Sequence, residues 1–397
     1  MGMASSLILV ANPGSASRKY ALYEDSRLRA TIHFEWVEGS VVCTLKRDQE
    51  NQNIGTSLSD LQETTGSVKA ILRAANVLEE HEKISAIGLR VVAPGKYFQE
   101  DHIVDDDFLK QLNKAVSAAP IHVTATLQEV TTLRSNFPSI PVFGISDSSF
   151  HKDKPEKAQY YGLPIDDANK SDIKRFGYHG ISLASVVRCV RQEGVLEPRL
   201  IICHIGSGVS VTAIRGERAL DTTMGYSPLE GVVMSTRSGS IDIAAALKVK
   251  ELHSIDDPGL DDYLHHKSGL LGLGGSDDVR ELLEREKHGD QRAAFALDVY
   301  IYAIQKAVGQ MAAVIGGADI LVFTGTIGER SAPVRERIVD GLEYLYFRID
   351  HQHNNTAFEP SDIVNIAEVH SQPVLVVGSD EAQEISRRTT DLVSRAA

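Results

Sequence analysis

The chain alternates between short apolar runs and longer stretches in which apolar residues recur every three or four positions. The runs at 6–12 (SLILVAN), 84–92, 140–145, 200–203, 320–323 and 374–377 have the length and β-branched content of buried strands. Residues 19–24 and 209–213 resume as strands after small-residue breaks, Asn12-Pro13-Gly14-Ser15-Ala16-Ser17 and Gly206-Ser207-Gly208. Residues 30–46 alternate as a further hairpin turning at Gly39-Ser40. Helical periods mark 67–82, 105–118, 182–192, 241–252, 277–287, 293–315 and a final amphipathic stretch through Ile385, Thr389, Leu392 and Val393. Between them, Ala119-Pro120-Ile121-His122 reads as a loop presenting one histidine, and 268–275 as a glycine-rich loop. The 293–315 period is strongly apolar, but Asp298, Gln305, Lys306 and Gln310 interrupt it, which predicts a buried helix and not a membrane span.

Strands alternating with helices predict an α/β protein. The strand, small-residue loop, strand design occurs at 12–17 and again about 190 residues later at 206–208, which points to an internal duplication. A third strand runs into Gly325-Thr326-Ile327-Gly328-Glu329, with a helix to follow from Ser331 as N-cap and Pro333 in its first turn. No Pro/Gly/Ser linker divides the chain. The expected domains are 1–147, joined by a C-terminal helix 382–397, and 148–381.

At 397 residues the chain suits two domains of ordinary size, and 42% hydrophobic with 24% charged residues is a soluble globular balance. A net charge of −13 argues against nucleic acid or an anionic membrane as partner. Cys43, Cys189 and Cys203 lack CxxC spacing, which predicts reduced thiols in a cytoplasmic protein without structural zinc. The first apolar run is short and has no basic flank, so no signal peptide is expected. Small anions are a different matter, because a local glycine cradle can oppose the global charge.

The chemistry-bearing residues are Asn12, Arg90, His122, Asp147, His179, Gly206, Ser207, Gly208, Arg237, the 325–328 segment and Glu381. Most follow a strand or sit in a small-residue loop. Asp147 stands at the carboxyl end of a strand, where open α/β sheets place ligands. His179 lies at a helix entry, where an imidazole can meet an anion. None of the glycine segments fits GxxxxGK[ST] or GxGxxG. Arginines to neutralise spreading charge, carboxylates to hold Mg²⁺ and glycine loops with room for phosphates are what phosphoryl transfer requires.

NPGSASRKY, LRVVAPG, APIH, SDSSFH, RFGYHGIS, CHIGSGVSVTAI, DTTMGYSPLEGVVMSTRSGSID, SGLLGL, ALDVY, VFTGTIGER and SDEA run in order over almost the whole sequence. In these segments the chain resembles the acetate kinase family, of the actin/Hsp70/sugar-kinase class. The resemblance implies two actin-like (ribonuclease H-like) α/β domains of βββαβαβα type around a central cleft, working as a homodimer. It implies reversible, direct in-line transfer from MgATP (or Mn²⁺) to acetate or propionate, giving acyl phosphate and ADP. By the same resemblance Arg90 and Arg237 bind the carboxylate and stabilise the phosphoryl group, and His179 donates to it, with His122 a second active-site histidine. Asp147 steadies the Mg²⁺–phosphate assembly or an arginine, and Asn12 and Glu381 serve the metal. Ser15, Ser17 and Lys19 match the first phosphate-side loop. Val92, Ile121, Tyr178 and Pro228 fall at acyl-pocket positions. His204, Gly206, Ser207, Gly208, Gly325, Thr326, Ile327, Gly328 and Arg330 fall on the nucleotide side.

Some positions depart from the family pattern. Gly206-Ser207-Gly208-Val209 replaces Gly-Asn-Gly-Gly, Thr326 replaces a glycine and Arg330 an asparagine. Val91-Val92-Ala93-Pro94 stands after Arg90 in place of a His-Gly-Gly ending, and Tyr178 in place of phenylalanine. A β-branched residue at 326 is expected to crowd the purine. The Tyr178 hydroxyl calls for a partner that a polar substrate group could supply. These departures keep two alternatives beside an ATP-dependent acetate or propionate kinase: an acyl kinase using pyrophosphate or another acid, and a non-catalytic nucleotide-binding relative.

Overall fold

The first apolar run becomes β1 (Leu7–Pro13), whose first five residues are all buried. Such burial on both faces is what a strand inside a covered sheet requires. This computed structural model describes residues 6–396 apart from 15, 16, 38, 48, 49, 57, 59, 117–119 and 193–197. β1 pairs antiparallel with β2 (Ser17–Glu24), placing Asn12 opposite Lys19. The meander continues through β3 (Arg27–Val37), β4 (Ser40–Arg47) and β5 (Glu50–Ile54). On the other side of β1 lie β6 (Ala86–Val91), then β8 (Val142–Ser146), both parallel, with β7 (His102–Ile103) at the edge. The order is β5-β4-β3-β2-β1-β6-β8-β7.

The second sheet repeats the plan. β9 (Arg199–Ile205), β10 (Val209–Arg215) and β11 (Arg218–Thr222) form an antiparallel meander. β12 (Ile320–Thr324) pairs parallel with β9, followed by β14 (Val374–Val376) and the short β13 (Val364–Asn365). Both sheets thus contain the order third-second-first, followed by two parallel strands and a short antiparallel edge strand, and the two strand-loop-strand units of the sequence are their opening hairpins.

The chain divides into two compact units, Met1–Ser149 with Asp380–Ala397, and Phe150–Ser379. The closing helices are exchanged. Helix Gly180–Gln192, which follows β8, buries Leu183, Val186, Val187 and Val190 on the second sheet. Helix Glu381–Ala396, which follows β14, packs on the first. Gly88 on β6 makes room for it: a β-carbon there would lie 2.2 Å from Thr389 Oγ1 and 2.7 Å from Ile385 Cγ2.

Several local expectations are corrected. The period at 67–82 is helical only over Thr64–Ala74; Val77 and Leu78 reach the core from a turn that follows Asn76, which has φ +53°. Residues 120–122 are not a loop but open helix Pro120–Asn136, with proline at the first position, where its missing N–H costs nothing. The 268–275 segment contains a short helix, Gly269–Gly274, bounded by glycines at φ +60° and +79°. Gly325–Arg330 is helical as well, and Ser331 makes no side-chain cap bond to the helix after it. Helices Asp257–His266 and His351–Thr356 have too few apolar residues to show a period. Each is marked instead by an aspartate cap, Asp256 accepting from Gly259 N and Asp350 from His353 N.

Candidate active site

In the first unit, β6 delivers Arg90 and the end of β8 delivers Asp147. Arg90 Nη2 donates to Asp147 Oδ2 at 3.0 Å, and the Asp147 side chain is 1% exposed. Burial works against the Arg90 charge, but the carboxylates of Asp147 and Glu381 outweigh it, and the Arg90 pKa is raised. The guanidinium is therefore a fixed cation. Glu381 belongs to this group because the exchanged C-terminal helix starts on it. Asn12 Nδ2, at the end of β1, donates to Glu381 Oε2 at 2.9 Å. Asn12, Arg90, Asp147 and Glu381 thus form one cluster at the ends of parallel strands. Arg388, on the same helix, donates to Asp101 Oδ2 (2.7 Å), and Asp101 in turn accepts from Ser146 N (2.9 Å), one residue before Asp147. That pair fixes the helix to the β8 end. Lys19 is exposed beside Asn12, Ser17 is half-buried and Val92 is half-buried two residues past Arg90. Ser15 lies outside the described residues, as do the side chains of Ile121 and His122.

The second unit gathers His179, His204, Gly208 and Arg237. His179, at φ +60°, immediately precedes helix Gly180–Gln192, and its Nδ1 meets Ser210 Oγ at 3.0 Å. His204, on β9, meets Ser182 Oγ through Nδ1 at 2.8 Å, and its ring lies tilted by 31° against that of His179 with centroids 4.1 Å apart. A β-carbon on Gly208 would lie 3.2 Å from His179 Nε2 and 3.3 Å from Arg237 Nη1. The missing side chain at 208 therefore lets the hairpin turn reach both the imidazole and the guanidinium. Arg237 Nη1 also donates to Pro228 O at 3.4 Å.

Gly269 sets the position of Arg237. A β-carbon at 269 would sit 2.3 Å from Met234 O and 2.8 Å from Arg237 O. Amides of the short helix grip the same segment: Ser268 N to Thr236 O (3.0 Å), Leu270 N to Met234 O (2.9 Å) and Leu271 N to Ser235 O (2.9 Å). Ser235 N in turn donates to Ser207 O at 3.2 Å, tying the arginine segment to the hairpin turn.

Tyr178 is 1% exposed, and its hydroxyl donates to Tyr226 O at 2.6 Å. The hydroxyl has the partner that burial was expected to require, and it comes from the protein itself and not from a polar substrate group. The glycine turns are also less open than their sequences suggest. Gly206 N donates to Gly208 O (2.9 Å), Gly14 N to Ser17 O (2.8 Å) and Gly325 N to Glu329 Oε1 (2.9 Å). Gly325 follows the strand residue opposite His204, and a β-carbon on it would strike the Ile205 backbone at 2.9 Å. Thr326 is exposed, Ile327 half-buried and Gly328 buried, while Arg330 pairs with Glu359 and lies over the Phe358 ring.

Sequence reasoning missed the residues that orient others: Ser182, Ser210, Gly269, Asp101 and Arg388. Ser182 and Ser210 lie inside matched segments, and a serine three residues past His179, in the first turn of its helix, was a readable signal. Burial pushes the Cys203 thiol up, which removes it as a nucleophile. Among the described residues no three His, Cys, Asp or Glu gather to hold a metal, and no helix is long and apolar enough to cross a membrane.

Comparison with known proteins completes the picture. A family model described as the Acetokinase family matches residues 7–387. An acetate kinase of Natranaerobius thermophilus is 35% identical over 403 residues, covering 98% of this chain and 100% of the relative. Among solved structures, a propionate kinase from Francisella tularensis superimposes with a TM-score of 0.88 at 29% identity, covering 96% of this chain and 98% of that one. Porphyromonas gingivalis acetate kinase does so with a TM-score of 0.85 at 31% identity, covering 98% and 100%.

Proposed function

This chain belongs to the acetokinase family, and on that premise we propose how its residues share the work of phosphoryl transfer. The activity is of the acetate-kinase type, with a short-chain carboxylate as acceptor. The donor in this reading is ATP. A carboxylate oxygen attacks the γ-phosphorus, the bond to the β–γ bridging oxygen breaks, and ADP leaves with that oxygen and its charge.

In the first unit Arg90 binds the carboxylate, and Asp147 holds the guanidinium in place. Val92 and Ile121 border the acyl group. In the second unit Arg237 meets the equatorial phosphoryl oxygens, where charge spreads in the transition state. His179 donates to the same group, its ring oriented by Ser210. His122 serves as a further donor, and Tyr178 and Pro228 border the acyl group. The nucleotide side comprises Ser15, Ser17, Lys19, His204, Gly206, Ser207, Gly208, Gly325, Thr326, Ile327, Gly328 and Arg330. The observation that carries this reading is the gathering of Arg237, His179 and the bare Gly208 at one hairpin turn.

The donor set at Asn12 and Glu381, an amide carbonyl and a carboxylate, fits Mg²⁺, which takes hard oxygen ligands and keeps several for water and phosphate. When bound, the ion would neutralise charge on the phosphate oxygens. A second copy of the chain completes the proposed assembly by covering helix Ile243–His253, where Ile243, Leu247 and Leu252 are 77%, 56% and 73% exposed.

The test is acyl phosphate trapped as hydroxamate from ATP and acetate. Arg237→Ala should lower turnover by about 10²-fold or more while the protein stays folded. A loss within a few-fold would remove Arg237 from the transition state.

A further inference from the structure

Arg335 is fully buried, yet no role in the sequence motifs falls to it. It sits in helix Ala332–Val339, and its guanidinium is held by oxygens of neutral groups. Nε donates to Asn354 Oδ1 (2.8 Å), Nη1 to Gly328 O (2.8 Å), and Nη2 to Asn354 O (2.7 Å) and Ala357 O (2.8 Å). Asn354 is buried too, and its Nδ2 donates to Ala332 O at 3.0 Å, so the amide cannot turn without losing a bond. A buried arginine ordinarily has a carboxylate against it. Here burial alone acts on the group and lowers its pKa to about 10, which still leaves it charged at neutral pH.

Among the described residues no carboxylate pairs with this charge, and it is applied at one place. Gly328 O belongs to helix Gly325–Arg330, and Ala357 immediately precedes Phe358 and Glu359, the residues Arg330 touches. An apolar side chain of similar length would fill the volume without the desolvation cost of a cation. What it would not supply is a positive field beneath the 325–330 turn and a clamp on the Gly328 carbonyl.

We propose that Arg335 is a positioning residue for the phosphoryl donor, holding the Gly325–Arg330 turn through the Gly328 carbonyl and lending it a positive charge that favours a polyphosphate. The proposal rests on the reading of 325–330 as donor-side. It separates charge from packing, because Asn354→Asp places a carboxylate where the Arg335 Nε partner now stands, with almost no change in shape.

The experiment measures KM for ATP, KM for acetate, kcat and thermal stability on the purified full chain. Asn354→Asp should raise KM for ATP about five- to ten-fold, with KM for acetate unchanged and the fold retained, although the bond from Asn354 Nδ2 to Ala332 O is lost. Arg335→Lys, which keeps the charge but not the four-bond fork, should raise KM for ATP less than Arg335→Met, which should raise it by about ten-fold or more. Unchanged KM for ATP in folded Asn354→Asp overturns the proposal. If that variant does not fold, equal KM for ATP in Arg335→Lys and Arg335→Met overturns it instead. Thr326→Trp tests the underlying reading: if it leaves KM for ATP unmoved, the turn is not donor-side. If it raises KM for ATP while Asn354→Asp does not, only the role of Arg335 fails.

Discussion

Gly269→Ala tests whether Arg237 works from a fixed position. The glycine has φ +60°, a left-handed conformation that costs an alanine about 1 kcal/mol. Its new methyl would also lie 2.3 Å from Met234 O, 2.8 Å from Arg237 O and 2.9 Å from Arg237 N. None of these is a flexible side-chain end that can swing away. Backbone has to move by roughly 0.5–1 Å, and the interior is packed too densely to absorb that locally. Overpacking of this kind costs about 1–3 kcal/mol, so the total is about 2–4 kcal/mol. The three amide bonds from Ser268, Leu270 and Leu271 carry the shift into 234–237. A displacement near 1 Å at a group that meets the transition state lowers turnover by up to about 10²-fold. Hydroxamate trapping gives turnover, and urea unfolding with circular dichroism gives stability. Turnover within three-fold of the parent would refute the argument, and so would an unchanged unfolding midpoint.

Lys154 is 3% exposed and donates to Arg175 O (2.9 Å), and burial lowers its pKa from 10.5 to about 8, with Asp221 and Glu230 opposing and Arg175 adding to the shift. Below about pH 8 the lysine is charged in both states and bears the full cost of burial. Between about 8 and 10.5 the unfolded state holds the proton that the folded state has shed, so stability rises with pH by about 3 kcal/mol. Lys154→Met should remove that rise and gain about 1–2 kcal/mol at pH 7 after loss of the hydrogen bond; a rise of the same size in the variant assigns it elsewhere. Burial pushes the Cys43 thiol up to about 11 and raises Cys203 further, so neither should react with a disulfide reagent at pH 7.5 until the protein unfolds. More than one fast-reacting thiol per folded chain would contradict this. Ile243→Glu with Leu247→Glu should convert a dimer to a monomer in light scattering, and an unchanged mass would place the second copy on another face.

Strands were legible because each is a short apolar run between turn residues, and the duplication showed in the two opening hairpins. Helix starts were harder. Residues 119–122 read as a loop, although a proline such as Pro120 is also what opens a helix, and the period through Val77 and Leu78 persisted because turn residues can fill a core as well as helical ones. The charged site residues stood out by type and setting. What they touch was not readable, because a contact such as Asn12 with Glu381 spans 369 positions and depends on where the last helix returns. The same holds for Gly269, whose need for a bare α-carbon arises only from the Met234 and Arg237 backbone folded against it. The Tyr178 hydroxyl looked available for a substrate because its acceptor is a main-chain carbonyl, which has no signature in the sequence.

The central claim is that this protein moves a phosphoryl group from ATP to a short-chain carboxylate. The most direct measurement is a donor-by-acceptor matrix: ATP or pyrophosphate, with formate, acetate, propionate and butyrate, in Mg²⁺, the acyl phosphate trapped as hydroxamate. The account predicts product from ATP with acetate or propionate and none from pyrophosphate. Product from pyrophosphate but not from ATP would contradict the donor assignment, and no product from any pair would contradict the account as a whole.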